Sequence, residues 1–172
     1  MSDNAKANAQ ASKLLAALDK LGGPQKAVLQ KLIGQTAVAQ AQMGVRRSQT
    51  PYGERFAALT SRVGIPLRRT GNNIQRSFTS GQETPTTFIF GSRFKYFATH
   101  QYGAKITAKR SKYLRFKTEK GWRIAKAVTI PRRQMVPEMD TGGLGNTWEG
   151  AFARTAKSYL KRLMAGTQAK VA

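Results

Sequence analysis

The sequence predicts an α+β protein: an antiparallel sheet with a long basic β-hairpin, an N-terminal helical pair and a C-terminal amphipathic helix. Three observations predict this class. Apolar residues recur at helical spacing before residue 45 and again after residue 146. β-branched and aromatic residues form strand-like runs between residues 86 and 130. Because these strands follow one another without helices between them, we expect antiparallel pairing.

The N-terminal part divides into a polar, alanine-rich arm, residues 1–10, expected to be disordered, and a helical extension, residues 11–45. Gly22-Gly23-Pro24 ends the first helix, and the second reads from Val28 to Met43, with Gly34 as a weak point. We expect the apolar stripe of the first helix to contact a neighbouring subunit; packing on its own domain is the alternative. The stripe comprises Leu14, Leu15, Leu18 and Leu21.

Residues 46–165 form the predicted α+β domain, which begins with loop residues around Pro51. Thr70 is expected to cap a short helix that ends at Arg76. Two strands, Thr86–Phe90 and Tyr96–Tyr102, are predicted on either side of a turn at Gly91-Ser92.

A hairpin is predicted next, with its turn at residues 118–121. Its first strand places Leu114 and Phe116 on the face opposite Arg115 and Lys117. The second strand is expected to run to residue 130, and its apolar face comprises Trp122, Ile124, Val128 and Ile130. After a glycine-rich joint, Asn146 or Thr147 caps the final helix, and residues 166–172 form a flexible C-terminus.

Charge is the most informative property of the composition. The chain has 30 Lys and Arg against 8 Asp and Glu, a net charge of +22. Eleven basic residues and one acid, Glu119, lie between Lys105 and Arg133. This density predicts contact with DNA phosphates or another polyanion. Three aromatic residues, Tyr113, Phe116 and Trp122, are interleaved with these cations. Two alternatives are that these aromatic residues pack on a neighbouring protein, or that the hairpin is a solvated face whose aromatic residues belong to the core of this domain. The predicted contact residues are Lys109, Arg110, Lys112, Arg115, Lys117, Lys120 and Arg123.

The sequence has few of the residues that catalysis or metal binding would need. The chain has no cysteine, and His100 is its one histidine, so a multi-histidine metal site cannot be built and no catalytic triad can use a second histidine. A lone histidine beside Gln101 is more often a hydrogen-bonded structural residue than a catalytic one. The glycines at 142, 143 and 145 lack the Lys-Ser or Lys-Thr of a phosphate loop. No 18-residue apolar run predicts a membrane span, and the first residues lack the pattern of a signal peptide. We therefore predict no cofactor, no metal, no membrane partner, no enzymatic activity, and synthesis in the cytoplasm.

Several short motifs follow one another in a recognisable order along the chain. They are Pro51 to Thr60, Leu67 to Ser77, Tyr96 to Gly103, Leu114 to Trp122, and Val128 to Arg133, followed by a helix led by Trp148. In this order and spacing they resemble the phage virion-morphogenesis, or tail-completion, family. The departures are Ile74 in place of leucine, and Arg132-Arg133-Gln134-Met135 in place of Ala–Arg–Pro–Phe; the first 45 residues carry no family motif.

This resemblance implies a virion protein without catalytic residues, present in the host cytoplasm during assembly. It implies a ring of six or twelve copies, six favoured, in the neck or at the upper end of the tail, which joins head to tail around the DNA channel. The implied partners are other neck and tail proteins and, non-specifically, double-stranded DNA. The alternative is a general basic nucleic-acid-binding protein outside the virion, which explains the charge but not the ordered motifs. A nuclease is a third possibility, and the scarcity of acids argues against it.

Overall fold

A computed structural model describes residues 20–59, 66–67, 73–84, 87–118, 120–138 and 143–168. It confirms the predicted mixed α+β class. The elements are α1 Gly23–Arg47, α2 Asn73–Arg76, β1 Phe78–Thr84, β2 Thr87–Ser92, α3 Phe97–Tyr102, β3 Ala104–Thr107, β4 Leu114–Thr118, β5 Gly121–Ala125, β6 Ala127–Ile130 and α4 Asn146–Gln168. Among these helices, none is long and apolar enough to cross a membrane.

The first predicted helix lies almost entirely outside the described residues. Leu14, Leu15 and Leu18 belong to that part of the chain, as does the N-terminal arm, whereas Leu21 is half-buried and precedes α1 without being helical. The expected contact of this stripe with a neighbouring subunit therefore stays a prediction.

The buried residues of α1 agree only in part with the predicted apolar face. Leu29, which belongs to that face, is buried, as are Gly34, Ala37, Ala41 and Val45, which recur at the spacing of one helix face. Two members of the predicted face, Val28 and Met43, are instead exposed. Gly34 does not interrupt the helix. A Cβ at this position would lie 3.1 Å from Cβ of Ser80 and 3.4 Å from the Phe88 ring, so a small residue permits the close approach of β1 and β2.

The strands form three two-stranded sheets within the described residues, whereas the sequence predicted one sheet. β1 pairs with β2, β3 with β6, and β4 with β5. The predicted strand from residue 122 to residue 130 is divided at Lys126, because its two halves pair with different partners. Two of these strands, β1 and β3, were not predicted, and Gly91-Ser92 belongs to β2 rather than to a turn.

The strand predicted at Tyr96–Tyr102 is wrong, because residues 97–102 form helix α3. A helix places Phe97 and Gln101, four residues apart, on the same side. The ring of Phe97 packs edge-on against Phe78 with 6.0 Å between centroids, and Gln101 is fully buried. These contacts come from distant parts of the chain and override the strand-forming tendency of the aromatic residues.

The chain divides into two compact units. The first contains α1 up to Ala37, residues 80–90 and α4 from Gly150. In it the hydroxyls of Thr36 and Thr155 lie 2.9 Å apart, and the Tyr159 hydroxyl donates to the Gln25 carbonyl at 3.0 Å. The second contains residues 38–79 and 91–149, including α3 and β3–β6. Its buried apolar residues are Ala41, Val45, Phe56, Ile74, Phe78, Met135 and Trp148.

Candidate nucleic-acid interface

The basic segment forms one arm of the second unit, built from two antiparallel ladders in succession. β3 pairs with β6 from Ala104↔Ile130 to Thr107↔Ala127, and β4 pairs with β5 from Leu114↔Ala125 to Thr118↔Gly121. We call residues 104–130 the basic arm. Between the ladders, Lys126 alone joins β5 to β6, whereas residues 108–113 join β3 to β4. This six-residue stretch, the insert, therefore lies opposite a single residue, like an enlarged β-bulge.

The β4–β5 hairpin has two unlike faces, because directly paired residues of an antiparallel ladder share a face. On one face Leu114, Phe116 and Ala125 are half-buried, and Arg123 is exposed. All four residues of the opposite face, which we call the outer face, are exposed: Arg115, Lys117, Trp122 and Ile124.

All seven cations predicted to contact a polyanion are exposed. Lys109, Arg110 and Lys112 lie in the insert, Arg115 and Lys117 on the outer face, Lys120 in the turn, and Arg123 on the other face of the hairpin. The structure thus places them on one arm but not on one face. None of the seven forms an ion pair with a residue that the structure describes. Their contact with DNA stays a prediction.

An exposed tryptophan stacked with arginine is the feature of this arm that sequence reasoning missed. Trp122 is 61% exposed and Ile124 66% exposed. The Arg115 guanidinium carbon lies 4.6 Å from the centroid of the Trp122 ring, which is cation–π geometry. The register of the predicted hairpin could have revealed this feature. With a turn at residues 118–121, Trp122 lies opposite Lys117 and therefore on the same face as Arg115.

We call the end of the arm where α3 meets the segment after β6, residues 131–138, the base. There Gln101 joins these two parts of the chain. Its side-chain amide donates to the Val136 carbonyl at 2.9 Å and to Oε1 of Glu138 at 3.1 Å. Its side-chain oxygen accepts from the backbone amides of Met135 at 2.8 Å and Val136 at 3.2 Å. Gln101 is 0% exposed, so these contacts satisfy a polar group that burial would otherwise destabilise.

Gly103 permits the sharp change of direction between α3 and β3. Its φ is +74°, and a Cβ here would lie 3.1 Å from both the Ile130 carbonyl oxygen and the Arg132 amide nitrogen. A side chain would therefore meet backbone atoms in a conformation that favours glycine.

The two arginines after β6 have structural partners. Arg133 is 4% exposed and donates from Nε to the Ala57 carbonyl at 2.9 Å and from Nη2 to the Ala58 carbonyl at 3.1 Å. Nη2 of Arg132 lies 2.7 Å from Oε2 of Glu138. This pair of arginines is therefore held by backbone carbonyls and a carboxylate of the same chain. The similar pair Arg68-Arg69 lies outside the described residues.

His100 lies beside this base, with its carbonyl accepting from the Arg133 amide at 2.7 Å. Burial, and secondarily the positive charge of Arg133, lower the pKa of the His100 imidazole below its ordinary value. Its buried Nδ1 has no hydrogen-bond partner among the described residues. Within that same part of the chain, no group of three or more His, Cys, Asp or Glu is arranged to bind a metal ion.

Comparison with known proteins gives no relative: no protein-family model, curated protein or solved structure matches this chain.

Proposed function

We propose that this chain is a structural, non-catalytic subunit of a tailed-phage virion. It forms a ring in the neck or at the upper end of the tail that joins head to tail and surrounds the DNA channel. In this proposal the α+β fold, with its N-terminal helical pair, long basic hairpin and C-terminal amphipathic helix, is the ring subunit. The observation that carries the DNA contact is the basic arm, whose seven exposed cations have no ion-pair partner among the described residues.

The distribution of paired and unpaired charge supports a polyanionic partner. At the base of the arm Arg132 is neutralised by Glu138, and Arg133 is buried against backbone carbonyls. Farther along the arm, cations occupy the insert, both hairpin faces and the turn. Cations spread in this way suit contact with the phosphates of a duplex. Such contacts gain affinity through counterion release and do not read the bases. Such contact suits a channel wall that DNA of any sequence must pass.

The resemblance supports the virion assignment over a general nucleic-acid-binding protein. Two of its motifs, Tyr96 to Gly103 and Val128 to Arg133, meet at the base of the arm. Gly103 lies against the backbone of Ile130 and Arg132, and the Arg133 amide donates to the His100 carbonyl. Motifs that contact one another in this way define a structural element. Closure into a ring needs two different surfaces on each subunit. We propose the stripe Leu14, Leu15, Leu18 and Leu21 as one of these two contact surfaces. The basic arm is separate from them and faces DNA.

Light scattering coupled to size exclusion tests the assembly. The proposal expects a discrete closed oligomer, with six copies favoured over twelve. A monomer that binds DNA tightly would instead support a basic nucleic-acid-binding protein outside the virion, and would contradict the ring.

Charge reversal tests the DNA contact. The triple variant Lys117→Glu, Lys120→Glu, Arg123→Glu should reduce duplex affinity by roughly two to three orders of magnitude near 0.1 M salt, and lower the salt slope by about three. The matched control reverses three exposed cations of α4, Lys157, Lys161 and Arg162, and so makes the same change in net charge. Equal losses in both variants, or no loss in the first, would show that the arm is not the DNA contact.

A further inference from the structure

We propose that Trp122 is a stacking site for an unpaired nucleobase, so that the outer face binds single-stranded nucleic acid. This inference rests on the proposed nucleic-acid contact of the basic arm, and adds a binding mode that phosphate contact alone does not require. The site consists of the Trp122 indole, the Arg115 and Lys117 cations, and the Ile124 side chain.

The Trp122 indole presents a large accessible surface. The Arg115 guanidinium covers part of the ring at 4.6 Å from its centroid, yet 61% of Trp122 is exposed. The neighbouring Ile124 is 66% exposed. By contrast, Trp148 in the same unit is 4% exposed. Exposed aromatic and aliphatic side chains on one face of a two-stranded ladder have apolar surface that a partner can cover.

The positive charge around Trp122 indicates a negatively charged partner. Its cross-strand neighbour is Lys117, and Arg115 stands opposite Ile124, so the four described residues of the face include two cations and no acid. A second copy of this chain is poorly matched to such a face, since the protein has 8 acidic residues against 30 basic ones. Three acidic residues have described side chains. Glu138 is already paired with Arg132, and the other two, Glu54 and Glu149, are exposed.

Nucleic acid matches both the charge and the aromatic surface, and its single-stranded form matches them best. In a duplex the bases stack on one another, and a protruding ladder meets mainly phosphates and groove edges. A single strand presents the π-face of each base together with its phosphates, and an aromatic side chain flanked by cations binds both. Trp122 therefore stacks on a base, while Arg115 and Lys117 neutralise the adjacent phosphates.

The test compares oligothymidylate with a duplex of the same length, using the intact chain and two variants. Trp122→Phe keeps an aromatic ring, and Trp122→Leu removes it. We expect oligothymidylate to quench the fluorescence of exposed Trp122 and leave that of buried Trp148 unchanged. Trp122→Leu should weaken oligothymidylate binding about five- to a hundredfold, while Trp122→Phe stays within about threefold of the parent. Duplex affinity and thermal unfolding should be the same in all three proteins.

Two results would overturn the stacking site. One is oligothymidylate binding by Trp122→Leu at parental affinity. The other is a change in the oligomer mass of Trp122→Leu without nucleic acid, which would assign the outer face to contact between copies. The proposed channel contact fails separately: a parent chain that binds oligothymidylate but not the duplex would contradict that contact and leave the stacking site standing.

Discussion

The base and the outer part of the basic arm use the same residue types in opposite ways. At the base, Arg133 is 4% exposed and its guanidinium donates to two backbone carbonyls. On the hairpin, Arg115 is exposed and its guanidinium lies over Trp122. The tryptophans differ in the same way, with Trp148 buried and Trp122 open to solvent. Residue type alone therefore does not separate structural from binding roles; burial and partners do.

This difference assigns separate consequences to the two regions. Removing a buried group at the base leaves donors or acceptors without partners, and lowers the free energy of unfolding. Removing an exposed group from the hairpin leaves water in its place, so the fold changes little and any effect falls on binding. Variants at the base should therefore change stability, and variants on the hairpin should change affinity.

The largest expected effect at the base comes from Gly103→Val. Its positive φ and the backbone atoms 3.1 Å from a Cβ should lower the free energy of unfolding by about 3 kcal/mol or more. Gly91→Val is the matched control, since Gly91 lies in β2 with nothing within 4 Å of a Cβ, and it should stay within about 0.5 kcal/mol of the parent. Urea unfolding measures both. Equal stability of the two variants would show that the base tolerates a side chain at Gly103.

An intermediate effect is expected from the two arginines. Arg133→Leu removes the donors to the Ala57 and Ala58 carbonyls and should destabilise the fold by about 2–3 kcal/mol. Arg115→Leu loses an exposed cation–π contact and should destabilise it by at most about 1 kcal/mol. Duplex affinity, measured under conditions in which both variants are folded, should fall for Arg115→Leu alone. The opposite pattern would show that the comparison between base and hairpin is wrong.

The smallest expected effect is a pH dependence from His100. Burial and Arg133 lower the pKa of the folded-state imidazole, so as pH falls the unfolded chain takes up this proton first. Stability is therefore greatest above the unfolded pKa of about 6.5, and decreases as pH falls from there toward the lower folded pKa. His100→Asn should remove this part of the slope. Urea midpoints at about pH 8 and about pH 5 measure it, and identical slopes in parent and variant would exclude His100 as the cause.

Local patterns in the sequence predict those elements whose contacts are also local. The alternation from Leu114 to Thr118 agrees with the burial of β4, and the apolar spacing after Asn146 falls within α4. Helix α3 is different. Its aromatic residues favour a strand, but Gln101 is fixed by hydrogen bonds to Met135 and Val136, which are 34 and 35 positions away. No short window of sequence contains that information.

The candidate site could be predicted as a set of cations but not as a surface. The sequence pattern places Trp122 and Ile124 with Val128 and Ile130 on one apolar face, which assumes a continuous strand. The change of pairing partner at Lys126 separates the two pairs: Val128 and Ile130 are half-buried, and Trp122 and Ile124 are exposed. Pairing partners are set by the whole arm, including the insert, and composition does not show them.

The nested register of the arm has a consequence for the order in which the chain folds. The pairs Thr118↔Gly121, Leu114↔Ala125, Thr107↔Ala127 and Ala104↔Ile130 enclose one another around a single turn. Each pair that forms brings the ends of the next one together, so the next closure has less chain entropy to overcome. The contact between Gln101 and Met135 spans 34 positions in sequence, but only a few residues beyond β3 and β6 once the ladders have formed. Contacts that are distant along the chain can thus form at the rate of local ones, provided that the hairpin turn forms first.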